Sequence, residues 1–89
     1  MYYKDAIQAT GHTPLVATTR LSPNPKVRIL FKLEGQNLGG SSSVKDRIAR
    51  YMIEKAEAER RLTRDKVILE PSSGNTGLAL ALLGQRKGY

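Results

Sequence analysis

The sequence contains no cysteine and only one histidine, His12. Without cysteine the chain can form neither a disulfide framework nor a thiolate metal site. With a single imidazole, a metal site would have to be built from carboxylates, so none is predicted. No segment approaches the roughly 18 apolar residues of a membrane span, and the amino terminus lacks the apolar core of a signal peptide. We therefore expect a cytoplasmic protein that does not bind a membrane.

Acidic residues are also few, because eight Asp and Glu stand against 15 Lys and Arg, for a formal net charge of +7. Such an excess can attract nucleic acid. The basic residues are nevertheless interleaved with acids, and no aromatic platform accompanies them. Two pairs four residues apart, Arg50 with Glu54 and Glu57 with Arg61, predict a solvated helix face. Nucleic-acid binding is therefore not expected.

Apolar spacing predicts two helices. Residues 44–60 carry apolar side chains at helical intervals, and Ser43 is placed to cap their amino end. Residues 76–86 are apolar on every side, which predicts a helix buried on both flanks. Gly88 is the expected residue at which this second helix stops. At 89 residues, the chain suffices for one small domain at most.

Two strands are also predicted. Residues 27–33 alternate between apolar and polar side chains, which indicates a half-buried strand. Residues 66–70 form a short apolar segment, which is typical of a buried strand. The second strand, the glycine-containing turn after it and the helix over 76–86 make the opening half of a βαβ unit. The sequence therefore predicts the α/β class.

Lys45 is the first candidate site residue. Ile48 and Ala49, three and four residues further on, place it on the apolar stripe of its helix. Partial burial and the positive end of the helix dipole both disfavour the ammonium form of this side chain. A nucleophilic or Schiff-base lysine requires the neutral amine. Lys45 is therefore a candidate for a reactive lysine, whereas His12 is interpreted as a turn residue without a catalytic role.

The segment Ser72–Gly77 is the second candidate. It lies where a predicted strand meets the amino end of a helix, which is the usual ligand position in open α/β sheets. Free N–H groups, hydroxyls and the Asn75 amide can form an anion cradle there. The spacing matches neither a Walker A loop nor the dinucleotide pattern G-x-G-x-x-G. From these residues alone, simple helix capping and a carboxylate or phosphate site both remain open.

Together the two stretches resemble a known family. Ser-Val-Lys-Asp-Arg at 43–47 and Glu-Pro-Ser-Ser-Gly-Asn-Thr-Gly at 70–77 are similar to the pyridoxal-phosphate-dependent cysteine synthases, that is, the O-acetylserine sulfhydrylases and their cystathionine β-synthase relatives. Gly-His-Thr-Pro-Leu at 11–15 resembles the family's Gly-Asn-Thr-Pro-Leu, with histidine in place of asparagine. Lys-Leu-Glu-Gly at 32–35 and the last four residues also match. Val44 argues for the sulfhydrylase branch, since threonine synthases and dehydratases usually carry phenylalanine there.

The resemblance implies fold type II of the pyridoxal-phosphate enzymes, which is like the tryptophan synthase β-subunit, with only the amino-terminal part present. Residues 1–38 would belong to the large domain, and residues 39–89 would begin the small α/β domain. Lys45 would bind the cofactor covalently and then remove the substrate α-proton. Asn75 would bind the cofactor's ring hydroxyl. The residues implied to bind the substrate carboxylate are Ser72, Ser73, Gly74, Asn75 and Thr76.

The implied reaction is β-replacement on an activated serine, in which O-acetylserine and sulfide give cysteine, by a homodimeric enzyme. Cystathionine β-synthase or O-phosphoserine sulfhydrylase activity is the alternative within the family, and a non-catalytic remnant or interaction fragment is the alternative of another class. Since family members have roughly 300 residues, the isolated chain is expected to fold poorly and to be inactive. Gly39–Ser43 has two residues more than the family's Gly-Gly-Ser, so this loop is expected either to be misplaced or to bulge outward.

Overall fold

The computed structural model describes residues 1–89 and contains three α-helices and one two-stranded sheet. The helices are α1 (Ala6–Ala9), α2 (Lys45–Ala58) and α3 (Asn75–Lys87); the strands are β1 (Leu15–Thr18) and β2 (Ile29–Lys32); and a 3-10 turn spans Glu34–Gln36. These elements agree with the predicted α/β class. The molecule is elongated, with principal extents of 56, 34 and 20 Å. No helix combines the length and apolar character that crossing a bilayer requires.

Strands β1 and β2 form an antiparallel hairpin in which Leu15 lies opposite Lys32 and Thr18 opposite Ile29. The strand predicted over residues 27–33 is therefore present, although only four of its residues pair. It is more exposed than its alternation predicts. Leu30 and Phe31 point to opposite faces of the hairpin, and each is 47% exposed. Neither face of the hairpin is covered, so alternation here does not translate into burial.

Helices α2 and α3 pack against each other around a small core. Six buried residues form it: Ile7, Ala49, Ile53, Ala79, Leu80 and Leu83. The apolar stripe of α2 is narrower than its sequence predicts, since Ile48 and Met52 are 42% and 41% exposed. Residues four apart carry the contact, which is the spacing expected when one face of a helix meets a single neighbouring helix.

Two predictions about apolar segments are wrong. Residues 66–70 form no strand, and Val67 and Leu69 are 87% and 92% exposed. Only Ile68 packs against the core. A buried strand needs neighbouring strands to satisfy its backbone groups, and this chain places none beside it. Helix α3 is likewise buried on one flank only, because Leu78 is 55% exposed.

The ends of the helices follow local sequence signals closely. Helix α2 begins at Lys45, and Val44, at the cap position, has no capping side chain. The backbone of Val44, with a φ of −57° and a ψ of −22°, is already helical. Ser43 Oγ accepts the Lys45 N–H at 3.2 Å. The hydrogen bond predicted for Ser43 is thus present one residue before the assigned cap. Gly88 ends α3 at a φ of 86°, as predicted, because glycine tolerates this left-handed conformation.

Of the two predicted ion pairs on α2, one is correct. Arg50 Nε lies 3.0 Å from Glu54 Oε1. The pair between Glu57 and Arg61 is wrong, because α2 ends before Arg61 and the helical spacing of four residues is lost there. Arg61 pairs with Glu59 at 2.7 Å instead. Glu57 is left to bind the end of α3.

A network of hydrogen bonds centred on Glu34 joins the hairpin region to α2. Arg47 approaches this carboxylate with two nitrogens, Nε at 2.7 Å and Nη2 at 2.9 Å. Thr13 Oγ1 donates to Glu34 at 2.9 Å and accepts from Arg47 at 2.9 Å. Asn37 donates to Glu34 at 2.8 Å, and its side-chain oxygen accepts the Gly11 N–H at 2.9 Å. The segments before β1 and after β2 are therefore both fastened to the first turn of α2.

The same network shifts the pKa values of its two charged groups. Hydrogen bonds from Arg47, then from Asn37 and Thr13, hold the pKa of Glu34 at about 2, well below its ordinary 4.5, although partial burial opposes the shift. The hydrogen bond to Glu34 raises the pKa of Arg47 above its ordinary value. Both groups are therefore stabilised in their charged forms.

We expect Leu83→Ala to lower the free energy of unfolding by about 2–5 kcal/mol, because it leaves a cavity in the core. Leu83 is 0% exposed, whereas Leu78 on the same helix is 55% exposed. Leu78→Ala is therefore the matched control, with an expected change of about 0.5 kcal/mol or less. Urea unfolding followed by circular dichroism measures both. Equal losses in the two variants would contradict the packing described above.

We expect Glu34→Gln to weaken the dependence of stability on pH in acid. Since the folded pKa of about 2 lies below the ordinary 4.5, ionised Glu34 stabilises the fold above pH 4.5, and this contribution is lost as the pH falls toward 2. The variant should be less stable than the wild type at neutral pH, and the difference should shrink across that window. Urea unfolding at a series of pH values measures it. Glu70→Gln, at an exposed carboxylate outside the network, is the control.

A stability difference between wild type and Glu34→Gln that stays constant from pH 7 to acid pH would contradict the role given to this carboxylate. So would an equal effect of Glu70→Gln.

Candidate functional site

Helices α2 and α3 run in the same general direction, so their amino ends lie on one side of the molecule. At the carboxyl ends, Glu57 accepts hydrogen bonds from Lys87 Nζ at 2.7 Å and from the Tyr89 hydroxyl at 2.9 Å. Glu57 and Lys87 each lie 12 residues after the first residue of their helix, which is Lys45 in α2 and Asn75 in α3. At 1.5 Å per residue, both first residues lie about 18 Å from this contact. Because the helices also pack along each other through Ala49 and Ile53 of α2 and Ala79 and Leu83 of α3, the two candidate regions occupy the same end of the helix pair.

Contacts of Glu57 also perturb its titration. The hydrogen bond from Lys87, followed by that from Tyr89, lowers the pKa of the Glu57 carboxyl, against an opposing effect of burial. The Tyr89 hydroxyl in turn has a raised pKa, because of partial burial first and the Glu57 contact second. Near neutral pH Glu57 is therefore ionised and Tyr89 protonated, which are the forms that make these hydrogen bonds.

Lys45 begins α2 with a partly buried side chain. None of the five ion pairs within the chain includes its amine. The two residues that follow Lys45 are both bound to other segments. The Asp46 carboxylate accepts hydrogen bonds from Ser41, and Arg47 binds Glu34. The backbone at Lys45 is therefore held by its neighbours while the amine is left without an ionic partner.

The turn over residues 72–77 is organised by one hydroxyl. Ser72 Oγ accepts the N–H of Gly77 at 2.9 Å and that of Gly74 at 3.3 Å, so it caps α3 from upstream. The backbone N–H groups of Asn75 and Thr76, in the first turn of α3, find no acceptor within the chain. Capping, which the sequence left open, is therefore carried by Ser72, and two N–H donors remain available at the helix end.

The loop before Lys45 touches α3 directly. Gly40 has a φ of 119°, and a Cβ at this position would lie 2.4 Å from Leu82 Cδ1. Only glycine allows both that backbone conformation and that approach. No hydrogen bond joins Lys45 to residues 72–76 within the chain, but this contact holds the loop just before Lys45 against the helix that begins at Asn75.

The candidate residues lie on an open surface. Two apolar grooves flank residues 66–70 and α3, and neither is lined by Lys45 or by residues 72–76. His12 is exposed in the turn before β1 and stacks on Tyr3, with ring centroids 5.5 Å apart. Its surroundings agree with its interpretation as a turn residue.

Sequence reasoning missed several residues that support Lys45. Asp46 and Asn37 are buried and Glu34 is partly buried, and all three hold the loops around the start of α2. Glu34 and Arg47 are 13 positions apart, so no helical or strand periodicity links them. For Asp46 a sequence signal was available. It lies in the first turn of a helix that follows three serines, and a carboxylate there can accept hydrogen bonds from the loop before the helix.

Comparisons with known proteins show which family this chain resembles. The model of one family, described as pyridoxal-phosphate dependent enzyme, matches residues 6–89. The cysteine synthase of Flavobacterium sp. is 48% identical over 89 residues, which are 100% of this chain and 28% of that protein.

Two solved structures are also similar to this chain. One, a hydrogen sulfide-producing enzyme from Fusobacterium nucleatum, superposes with a TM-score of 0.86 at 43% identity, over 100% of this chain and 28% of that one. The other, an O-acetylserine dependent cystathionine β-synthase from Helicobacter pylori, gives a TM-score of 0.81 at 39% identity, over 97% of this chain and 28% of that one. The chain thus spans little more than a quarter of the length of each of these relatives.

The family match extends over α1, the hairpin and both long helices, and the fold of this whole stretch recurs in enzymes with closely similar sequences. Sequence and fold therefore agree along almost the full chain. On these grounds the chain belongs to the family of pyridoxal-phosphate dependent enzymes, and the relatives it resembles include a cysteine synthase and a cystathionine β-synthase.

Proposed function

We propose that this chain supplies the cofactor-binding lysine and the substrate-binding loop of an enzyme that performs β-replacement on an activated serine, converting O-acetylserine and sulfide into cysteine in the cytoplasm. The observation that carries the proposal is the common orientation of α2 and α3, whose first residues are Lys45 and Asn75. The names of the relatives, among them a cysteine synthase, support this reaction class.

The residues at this end fit pyridoxal phosphate. The cofactor, when bound, supplies an aldehyde that bonds to a lysine amine and a ring that withdraws electrons from the substrate. Lys45 is a partly buried residue whose amine has no ionic partner and whose backbone N–H is bonded to Ser43. Its Nζ would hold the cofactor and, when not bonded to it, would take the proton from the substrate's α-carbon.

The turn over residues 72–77 binds and orients anions in this proposal. The N–H groups of Asn75 and Thr76 have no acceptor within the chain, so they can donate to the substrate carboxylate, and the α3 dipole favours negative charge there. Ser73 and Gly74 complete this carboxylate site. The Ser72 oxygen accepts two N–H groups, which leaves its hydroxyl proton to donate as well. The Asn75 amide donates to the cofactor's ring hydroxyl oxygen.

Within this proposal, residues 1–38 belong to the large domain of a homodimeric enzyme and residues 39–89 to its small domain. Two alternatives use the same residues with other substrates. The Helicobacter pylori relative supports cystathionine β-synthase activity, and O-phosphoserine in place of O-acetylserine is the other alternative. Product analysis with sulfide or homocysteine as acceptor, and with each serine derivative as donor, separates them. A non-catalytic interaction fragment would give no product with any combination.

Covalent trapping of the cofactor tests the proposal. The purified protein, incubated with pyridoxal phosphate, reduced with borohydride and digested, should yield one modified peptide with the pyridoxyl group on Lys45. Lys45→Arg should abolish this adduct. Lys55→Arg is the matched control, because Lys55 lies on the same helix in an exposed position. An unmodified Lys45 in the wild type, or equal labelling of several lysines, would contradict the proposal.

A further inference from the structure

The segment Gly39–Val44, termed the seryl loop here, folds back onto the helix that follows it. The Ser41 backbone N–H donates to Asp46 Oδ1 at 2.9 Å, and the Ser41 hydroxyl donates to the same oxygen at 2.7 Å. Asp46 is 0% exposed, and a Cβ on Gly39 would lie 2.6 Å from the Asp46 Cβ. The loop is therefore packed tightly around a buried carboxylate in the first turn of α2.

A directed series of hydrogen bonds connects this carboxylate to Lys45. A carboxylate only accepts hydrogen bonds, so the proton of the Ser41 hydroxyl points to Asp46. The contact of 2.7 Å between Ser41 Oγ and Ser43 Oγ must then use the proton of Ser43. Ser43 Oγ in turn accepts the Lys45 backbone N–H at 3.2 Å. Every donor in the series points toward Asp46, and the series ends on the residue that carries the reactive amine.

Asp46 has no substitute for Ser41 within the chain. Its second oxygen, Oδ2, is buried without a hydrogen-bond partner. The burial of the carboxylate is therefore offset through Oδ1 by the two donors of Ser41, together with the positive end of the α2 dipole. Loss of the Ser41 hydroxyl would leave one donor for a fully buried acidic group, and the seryl loop would be held correspondingly less firmly.

The three consecutive serines of the seryl loop, Ser41 to Ser43, take different positions. Ser42 is exposed with a φ of 49°, so the loop turns outward there, while Ser41 and Ser43 point to each other. Of the two expectations for this loop, an outward bulge agrees with the structure, and the serines on either side of the bulge tie the loop back to α2.

We propose that Ser41 and Asp46 are positioning residues for Lys45: through Ser43 they fix the backbone from which the Lys45 amine reaches the cofactor. This inference rests on the proposed function in one respect, because it assumes that Lys45 binds pyridoxal phosphate. The fixing of the backbone itself is measurable without any cofactor.

Two readouts test this role. Ser41→Ala should accelerate hydrogen–deuterium exchange of the Lys45 amide by about 10-fold, the size expected for losing one hydrogen bond to a carboxylate. It should also slow, by a similar factor, the accumulation of borohydride-trapped cofactor on Lys45. Ser42→Ala makes the same chemical change at the exposed residue of the loop and should alter neither rate. Ser41→Thr, which retains the hydroxyl, should restore both.

Each outcome separates this inference from the proposed function. Normal cofactor attachment in Ser41→Ala, or unchanged amide exchange, would overturn the positioning role. Faster amide exchange in Ser41→Ala, together with no cofactor adduct on Lys45 in the wild type, would overturn the proposed function. It would then also overturn the role of Ser41 and Asp46 toward the cofactor. If Ser41→Ala does not fold, Ser43→Ala breaks the same series one step later with Asp46 still bonded, and it should slow attachment equally; normal attachment in this variant would also overturn the inference.

Discussion

The bidentate contact between Arg47 and Glu34 is the interaction on which the arrangement of this chain depends. It lies between residues 13 positions apart and fastens the segments on both sides of the hairpin to the first turn of α2. Both side chains are partly exposed, so solvent screens part of the attraction. The value of the contact is geometric, since a planar guanidinium held by two nitrogens permits only a narrow range of orientations of the carboxylate.

With the hairpin side of α2 held by that contact, two smaller polar groups set the position of the helix ends. Asp46 draws the seryl loop back over the amino end of α2, and Glu57 binds the last residues of α3. The apolar contact between the helices is formed by few side chains, and alanine predominates among those that are fully buried. The polar contacts of Glu57 therefore hold the carboxyl ends of the two helices together, while the core supplies non-directional attraction.

Much apolar surface remains exposed on this chain, and it is concentrated on particular elements. Leu30 and Phe31 of the hairpin, Val67 and Leu69 of the extended segment, and Leu78 of α3 are each at least 47% exposed. In the relatives, roughly three quarters of the length lies outside the matched segment. The composition of these elements is that of interior strands and helices, which explains why reasoning from the sequence alone predicted more burial than the chain provides.

Local sequence determined the two long helices, their ends at Ser43 and Gly88, and the Arg50–Glu54 pair, because each depends on residues within about one helical turn. The motifs around Lys45 and Asn75 sufficed to indicate the family for the same reason: they are short and contiguous. Only the tertiary structure decided which partner Glu57 binds, that residues 66–70 remain unpaired, that both candidate regions share one end of the helix pair, and that Asp46 is buried under Ser41. These features depend on where separate segments meet in space, which neither periodicity nor spacing along the chain encodes.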